Sequence, residues 1–159
     1  MYNSNLFRII ANLHNQILMK IHTKVRYGLR AMLEIAGSDN PNGVLQKDIA
    51  KNQNISLSYL DHIISALKAK GLVTTVNGKH SGYKLLKKQD EITMKDIYTA
   101  FEPITILDCL NNESFCEKTC NCLARDYWDE LKQQIEETLT KKTLGQLLYK
   151  YQNKKIITI

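Results

Sequence analysis

Residues 44–76 read VLQKDIAKNQNISLSYLDHIISALKAKGLVTTV, and their apolar side chains follow two helical patterns separated by a turn. Apolar residues recur at intervals of three and four over residues 44–51 and again over residues 55–70, whereas segment 52–54 is polar. The inward-facing residues are Leu45, Ile49, Ala50, Leu60, Ile63, Ile64 and Leu67. The pattern predicts a helix-turn-helix whose second helix has Ser56 or Ser58 as its N-cap.

The flanking sequence adds a helix before this pair and a hairpin after it. Residues 19–36 form an amphipathic helix that Gly37 ends. The β-branched segment 72–76, the Asn77-Gly78 turn signal and segment 83–85 predict two antiparallel strands. The predicted fold class is therefore mainly α with a small β-hairpin wing.

We divide the chain into a winged helix-turn-helix domain over residues 19–90 and a second region over residues 91–159. The first carries twelve Lys and Arg against five Asp and Glu, a formal charge of +7, and the second carries nine against eleven, or −2. This asymmetry indicates that the first domain meets a polyanion, for which double-stranded DNA is the natural candidate. A merely solvated basic surface is the plainer alternative.

All four cysteines of the chain fall within fourteen residues: Cys109, Cys116, Cys120 and Cys122. Thiolates grouped in one loop, here over residues 107–123, are typical of a soft metal, an iron–sulfur centre or a redox couple. Residues 1–18 are a poor secretory signal, and cytosolic thiols stay reduced, which disfavours a disulfide framework. No apolar run approaches the roughly 18 residues that cross a bilayer, so we expect a cytoplasmic protein without membrane contact.

A long amphipathic helix follows the cysteines, and a short helix over residues 92–101 precedes them. The apolar stripe of the long helix consists of Tyr127, Trp128, Leu131, Ile135 and Leu139. Too little chain remains to bury this stripe within one subunit, so we expect a symmetric homodimer through it. Packing on its own winged helix is the alternative. A last short helix over 143–149 and a frayed tail complete the prediction.

Five motifs, read in order and spacing, resemble a known family. They are Met19-Lys-Ile-x-Thr-Lys-x-x-Tyr27-x-Leu-Arg-Ala-Met, Ile55-Ser-Leu-Ser-Tyr-Leu, Leu67-x-x-x-Gly71-Leu-Val, Gly82-Tyr83 and Cys122-Leu-x-x-x-x-Trp128. The chain resembles the bacterial winged-helix regulators typified by the cluster regulator IscR, which include the nitric-oxide sensor NsrR and the cysteine-metabolism repressor CymR. Because the resemblance begins at Met19, residues 1–18 are an N-terminal extension or a misassigned start.

The resemblance implies an iron–sulfur cluster of the 2Fe–2S type on three of the cysteines, namely Cys109, Cys116 and Cys122. Some relatives take a fourth ligand from a histidine three residues beyond the last cysteine, and others from an acidic residue near the first helix. Here Arg125 and Arg26 stand at those positions, and a charged arginine cannot ligate a metal. Cys120, His22 or another group is left as the fourth ligand.

The DNA reader is predicted on the helix that starts at Ser56. Its early positions are suited to base edges or phosphates in a major groove: Ser56, Ser58, Tyr59, Asp61 and His62. For Tyr59 the alternative is half-buried packing under the helix. The cations predicted to contact the DNA backbone are Lys24, Arg26, Arg30, Lys47, Lys51, Lys68, Lys70 and Lys79. In the wing, Asn77-Gly78 replaces the family's Arg-Gly pair, and Lys79 compensates for part of that lost contact.

These features predict a DNA-binding transcriptional regulator, a repressor, whose operator binding is controlled by the cluster. A zinc-binding regulator and a cluster-free thiol switch remain alternatives, although the paired Cys-x-x-Cys motifs of many zinc sites are missing. The sequence has no phosphate-binding glycine loop, no His-Glu-x-x-His and no Gly-x-Ser-x-Gly. We therefore expect no enzymatic activity and no small-molecule substrate.

Overall fold

The computed structural model describes residues 21–78, 82–112, 116, 118 and 121–157, with side chains up to residue 153. The helices in this part of the chain are α1 (Thr23–Ala36), α2 (Gln46–Gln53), α3 (Leu57–Ala69), α4 (Met94–Thr99), α5 (Asp108–Asn111), α6 (Arg125–Lys141) and α7 (Leu144–Ile157). The strands are β1 (Val73–Thr75) and β2 (Tyr83–Leu85). The predicted fold class, mainly helical with one antiparallel hairpin, is confirmed.

Helices α2 and α3 form the helix-turn-helix, and the turn between them has a defined cause. Asn54 ends α2 in the left-handed conformation, with φ 53° and ψ 51°, which asparagine tolerates better than most residues. Ser56 then caps α3, because its Oγ accepts a hydrogen bond of 3.1 Å from the backbone N–H of Tyr59. Of the two serines proposed from the sequence, Ser56 is therefore the N-cap.

The wing is joined to the loop that precedes α2. Strands β1 and β2 pair antiparallel, with Val73 opposite Leu85 and Thr75 opposite Tyr83. Backbone hydrogen bonds of 2.9 Å in both directions connect Tyr83 to Val44. A Cβ atom at Gly82 would lie 2.3 Å from the backbone of Val44, so only glycine permits this approach. The wing residues 79–81, including Lys79, lie outside the described residues.

The hydrophobic core draws on both halves of the sequence. Residues of α1 and α3, such as Met32 and Leu60, pack in one cluster with Ile92, Ile97 and Leu144, and all five are almost completely buried. Helix α7 packs against α1, and its start is fixed by a 2.8 Å hydrogen bond from the backbone N–H of Leu144 to the carbonyl of Ile92. The prediction of a short final helix was wrong, since α7 continues to Ile157.

Helices α5 and α6 have no buried residue, whereas α4 contributes Ile97 to the core. Thr93 and Asp96 form a reciprocal capping box at the start of α4. Helix α6 packs against α4 and α5, and a 2.7 Å ion pair between Lys95 and Glu136 joins α4 to α6. None of the seventeen residues of α6 is buried. Helix α5 falls inside segment 107–123, which was predicted to be a loop throughout.

No helix among the described residues is both long and apolar enough to cross a membrane.

Candidate DNA-binding surface and cysteine loop

The N-terminal part of α3 presents a polar, solvent-exposed surface. Ser56, Ser58, Asp61 and His62 are all exposed, while the opposite face of the helix is buried in the core. Tyr59 differs from them, because it is half-buried and its ring packs edge-on against Tyr27 at a centroid distance of 5.9 Å. Exposed polar side chains can contact base edges, and the N-terminus of a helix can contact phosphates.

Gln46 connects three elements of this surface, and sequence reasoning did not single it out. Its Nε2 donates to Asp61 Oδ1 at 2.5 Å and to the carbonyl of Leu57 at 3.4 Å. Its Oε1 accepts from the Tyr83 hydroxyl of the wing at 3.3 Å. Burial, with a smaller contribution from the Asp61 carboxylate, raises the pKa of the Tyr83 phenol above its usual value of 10.0, so this hydroxyl remains a donor. The network fixes Asp61 relative to the wing.

The predicted cations do not all have the same environment, and Lys68 and Lys70 lie at the C-terminal end of α3. Lys24, Arg26, Arg30, Lys47, Lys51, Lys68 and Lys70 are exposed. Arg30 lies over the Tyr27 ring, 5.4 Å from its centroid, and Arg26 donates to Thr23 Oγ1 at 3.4 Å. Lys68 donates to Thr75 Oγ1 at 2.9 Å, which joins the end of α3 to the wing. Lys68 therefore has a structural contact besides its predicted role at the DNA backbone.

The described cysteines lie in α5 and in the segment that joins α5 to α6. Cys109 is half-buried within α5, whereas Cys116 and Cys122 are exposed. The carbonyl of Cys122 accepts a 3.1 Å hydrogen bond from the backbone N–H of Arg125, so Cys122 is attached to the first turn of α6. Cys120 lies outside the described residues. Among the residues that the structure describes, no three His, Cys, Asp or Glu side chains are grouped to hold a metal ion.

The chemistry of these donors nevertheless suits a thiophilic metal or an iron–sulfur cluster, because thiolates are the ligands that both prefer. His22, considered above as a fourth ligand, is hydrogen-bonded through Nδ1 to Glu102 Oε2. The other carboxylate oxygen of Glu102 is buried, and no hydrogen-bond partner for it is found among the described residues. Sequence reasoning missed this contact, which joins the start of α1 to the segment between α4 and α5.

The apolar stripe of α6 is partly covered within one chain, and of its five residues only Tyr127 is exposed. Tyr127 is 61% exposed and contacts Trp128 edge-on at a centroid distance of 5.0 Å. Leu131, Ile135 and Leu139 are half-buried. The helix therefore carries an apolar face that its contacts with α4 and α5 do not completely cover.

Comparison with known families identifies one that covers most of the chain. The family model of Rrf2, described as an iron-dependent transcriptional regulator, matches residues 21–150. The protein named rrf2 of Nitratidesulfovibrio vulgaris is 35% identical over 133 residues, which are 82% of this chain and 87% of that protein. A transcriptional regulator named IscR from Aliivibrio salmonicida is 36% identical over 131 residues, covering 82% and 77%.

Two solved structures of named regulators have a fold similar to that of this chain. CymR, the global cysteine regulator of B. subtilis, superposes with a TM-score of 0.67 at 33% identity, covering 83% of this chain and 98% of that one. IscR of T. potens superposes with a TM-score of 0.67 at 30% identity, covering 84% and 88%. The expected family resemblance and the expectation of a non-enzymatic regulator are confirmed.

Proposed function

This chain belongs to the Rrf2 family of transcriptional regulators, and we propose that it is a cytoplasmic, homodimeric repressor whose binding to operator DNA is controlled by its cysteine loop. The proposed ligands of an iron–sulfur cluster of the 2Fe–2S type are Cys109, Cys116 and Cys122, with Cys120 or His22 as candidates for the fourth. The observation that carries the DNA-binding part is the exposed polar end of α3, surrounded by cations on α1 and α2.

The contacts of the reading helix support DNA binding by this face. Lys47 and Lys51 of α2 stand beside the start of α3, where they can neutralise phosphates while Ser58 and His62 meet base edges. The Gln46 amide holds Asp61 through Oδ1 at 2.5 Å, which leaves Oδ2 to accept from a cytosine amino group. In this proposal, residues of α2 contact the DNA phosphates and residues of α3 contact the bases.

The incompletely covered apolar stripe of α6 supports the dimer. A seventeen-residue amphipathic helix without a buried residue leaves apolar surface that a second copy can cover. Trp128 and Tyr127 are of the type that dominates protein interfaces. Two reading helices related by a two-fold axis would contact two half-sites, so the spacing set by α6 determines which DNA is bound.

The position of the cysteines suggests how a bound group would act on this spacing. Cys109 is part of α5, and Cys122 is attached to the first turn of α6. Ligation of both, together with Cys116, would fix α5 relative to the dimer helix. The cluster would supply a labile, redox-active centre. The Lys95–Glu136 ion pair joins α6 to α4, so it would couple a change in α6 to the winged helix.

The test is purification without oxygen, a visible spectrum, and iron, sulfide and zinc assays per chain. We expect matched iron and sulfide in the wild-type protein and in the control Asn121→Ala, which changes an exposed neighbour of the thiols. We expect Cys116→Ala to lose both. Unchanged iron and sulfide content in Cys116→Ala would show that Cys116 is not a ligand. A colourless wild-type protein that cannot be reconstituted would show that the chain binds no iron–sulfur cluster.

A cluster-free thiol switch is the second candidate, and the exposure of Cys116 and Cys122 favours it. In that case two thiols would be oxidised to a disulfide, losing two electrons to a peroxide and releasing two protons. A metal-free protein whose DNA affinity changes with peroxide and recovers with a thiol reductant would support this candidate. Stoichiometric zinc would instead support the zinc-binding regulator.

A further inference from the structure

Leu57 is an apolar side chain at a position where the reading helix is otherwise polar. It is the first residue after the N-cap Ser56 and remains 52% exposed. Leu60 and Ile64, three and seven residues further along the helix, are 0% and 2% exposed. The apolar stripe of α3 therefore extends one turn beyond the core and ends in solvent.

Leu57 is the most exposed apolar side chain in its surroundings. A shallow cleft of about 480 Å³ between α2 and the start of α3 is lined by the polar residues Lys47, Lys51, Asn54 and Ser56 and the apolar residues Ala50, Ile55 and Leu57. Ala50 is buried and Ile55 is half-buried. Ser58 next to Leu57 and Asp61 one turn away are exposed. The carbonyl of Leu57 accepts from Gln46 Nε2, which fixes the first turn of α3 to α2. Because Leu57 is the only exposed apolar residue of this cleft, the cleft does not match an extended apolar groove for another protein.

Among the four standard bases, only thymine presents a group in the major groove that matches an exposed apolar side chain. Guanine, cytosine and adenine present donors and acceptors there, whereas thymine also presents its C5-methyl group. Contact with that methyl removes apolar surface of both partners from water. Lys47 and Lys51 flank the leucine, so they can hold phosphates on the same side of the helix.

We propose that Leu57 reads a thymine in each operator half-site through its C5-methyl group. The proposal rests on the proposed function, because it requires α3 to be the reading helix. Leu57 then adds an apolar base contact, which depends on the strand that carries the thymine, to the polar contacts of Ser58, Asp61 and His62. Replacement of that thymine by uracil, which lacks only the methyl group, should weaken binding about fourfold for each half-site.

The experiment begins with selection of bound duplexes from a randomised library by the full-length dimer, purified without oxygen. Thymines enriched in both half-sites are then replaced one at a time by deoxyuridine, and affinities are measured by fluorescence anisotropy. One symmetric position should lose about fourfold per half-site in the wild type, and Leu57→Ala should bind the thymine and uracil duplexes equally.

Leu86→Ala is the matched control. Leu86 is 57% exposed, similar to Leu57, but it follows β2 and lies near Gly71 at the opposite end of α3. This variant should keep the wild-type sensitivity to uracil. Circular dichroism confirms that each variant is folded, since both leucines are largely exposed.

Three other outcomes would contradict the Leu57 proposal, and one of them would also contradict the proposed function. Specific binding that is insensitive to every uracil replacement would overturn the Leu57 proposal and leave the regulator intact. A uracil effect that persists in Leu57→Ala would overturn it as well, because another residue would then read the methyl group. Failure to enrich any duplex would overturn both the proposal and the proposed DNA-binding function.

Discussion

The winged helix-turn-helix and the region from α5 to α6 differ in what holds their residues in place. In the first, Met32, Leu60 and Leu67 are completely buried, and Ser56 and Gln46 satisfy the backbone around the turn. In the second, α6 has no buried residue, and Cys116 and Cys122 are exposed. One chain is therefore sufficient to form the candidate DNA-binding surface, whereas the region from α5 to α6 has apolar and thiol groups suited to a partner or a ligand.

This difference explains why a regulator would keep the two regions distinct. A reading surface built on a closed core keeps its geometry when a ligand is lost. A helix without buried residues can change its position at lower energetic cost than a core helix, so it suits the part that responds to a signal. Four predictions test this comparison.

The largest effect is expected from the core. Leu60→Ala should lower the free energy of unfolding by about 3 kcal/mol, because it leaves a cavity among fully buried side chains. Leu57→Ala, three residues earlier and half exposed, should change it by less than about 0.5 kcal/mol. Urea unfolding followed by circular dichroism measures both values. Equal losses in the two variants would show that α3 is not anchored as described.

The second prediction concerns the proposed dimer interface on α6. Trp128→Ala should destabilise the dimer by about 2 kcal/mol, because a large aromatic group leaves the proposed interface. The corresponding control is Gln134→Ala, at an exposed position outside the apolar stripe. Sedimentation velocity at micromolar concentration should detect more monomer in Trp128→Ala only. A fully dimeric Trp128→Ala would show that the dimer interface does not lie on this face of α6.

The third prediction tests whether the hydrogen bonds of Gln46 affect DNA affinity and not only the stability of the fold. Gln46→Ala should weaken binding to a selected duplex about fivefold, because the loss of its hydrogen bonds, worth about 1 kcal/mol, releases Asp61 and the wing. Gln53→Ala also removes a side-chain hydrogen bond, to Glu34, but on another side of α2. It should leave DNA affinity unchanged. Anisotropy titrations compare the two, and similar losses would argue against a specific role for Gln46.

The smallest effect is expected from the ion pair between α4 and α6. A hydrogen bond from Lys95 lowers the pKa of the Glu136 carboxyl below 4.5. The pair therefore stabilises the folded state at pH above 4.5, and this contribution is lost as the pH falls through the lowered value. Because both side chains are partly exposed, Glu136→Gln should cost only about 0.5 kcal/mol at pH 7.

A double-mutant cycle with Lys95→Met checks this assignment. The coupling between the two residues should be present at neutral pH and absent at a pH well below the lowered pKa of Glu136. A coupling that does not change with pH would contradict an ionic origin.

Local patterns were sufficient to predict the winged helix. The spacing of Leu60, Ile63 and Leu67 and the Asn77-Gly78 turn signal are short-range features, and the structure confirms the helix and the hairpin that they predict. Burial of Ile92 and Leu144 in the same core could not be predicted, because that contact depends on how distant segments pack.

The functional surface was predicted less completely. The exposed polar residues of α3 follow from helical periodicity, but Gln46 was missed because its partners Asp61 and Tyr83 are 15 and 37 residues away. Leu57 lies on the same stripe as Leu60, and only the extent of the core reveals that it is exposed. The ligand role of the cysteines stays a prediction, since the described thiols are not grouped.

The most direct test of the account is the affinity for one selected duplex, measured by anisotropy without oxygen, of cofactor-loaded wild type and of Cys116→Ala. Both proteins must be shown to be folded, and iron must be assayed in each. If the cysteine loop controls operator binding, the two affinities differ at least about tenfold, or about 1.4 kcal/mol. Equal affinities, with iron present in the wild type and absent in the variant, would contradict control of DNA binding by the cysteine loop.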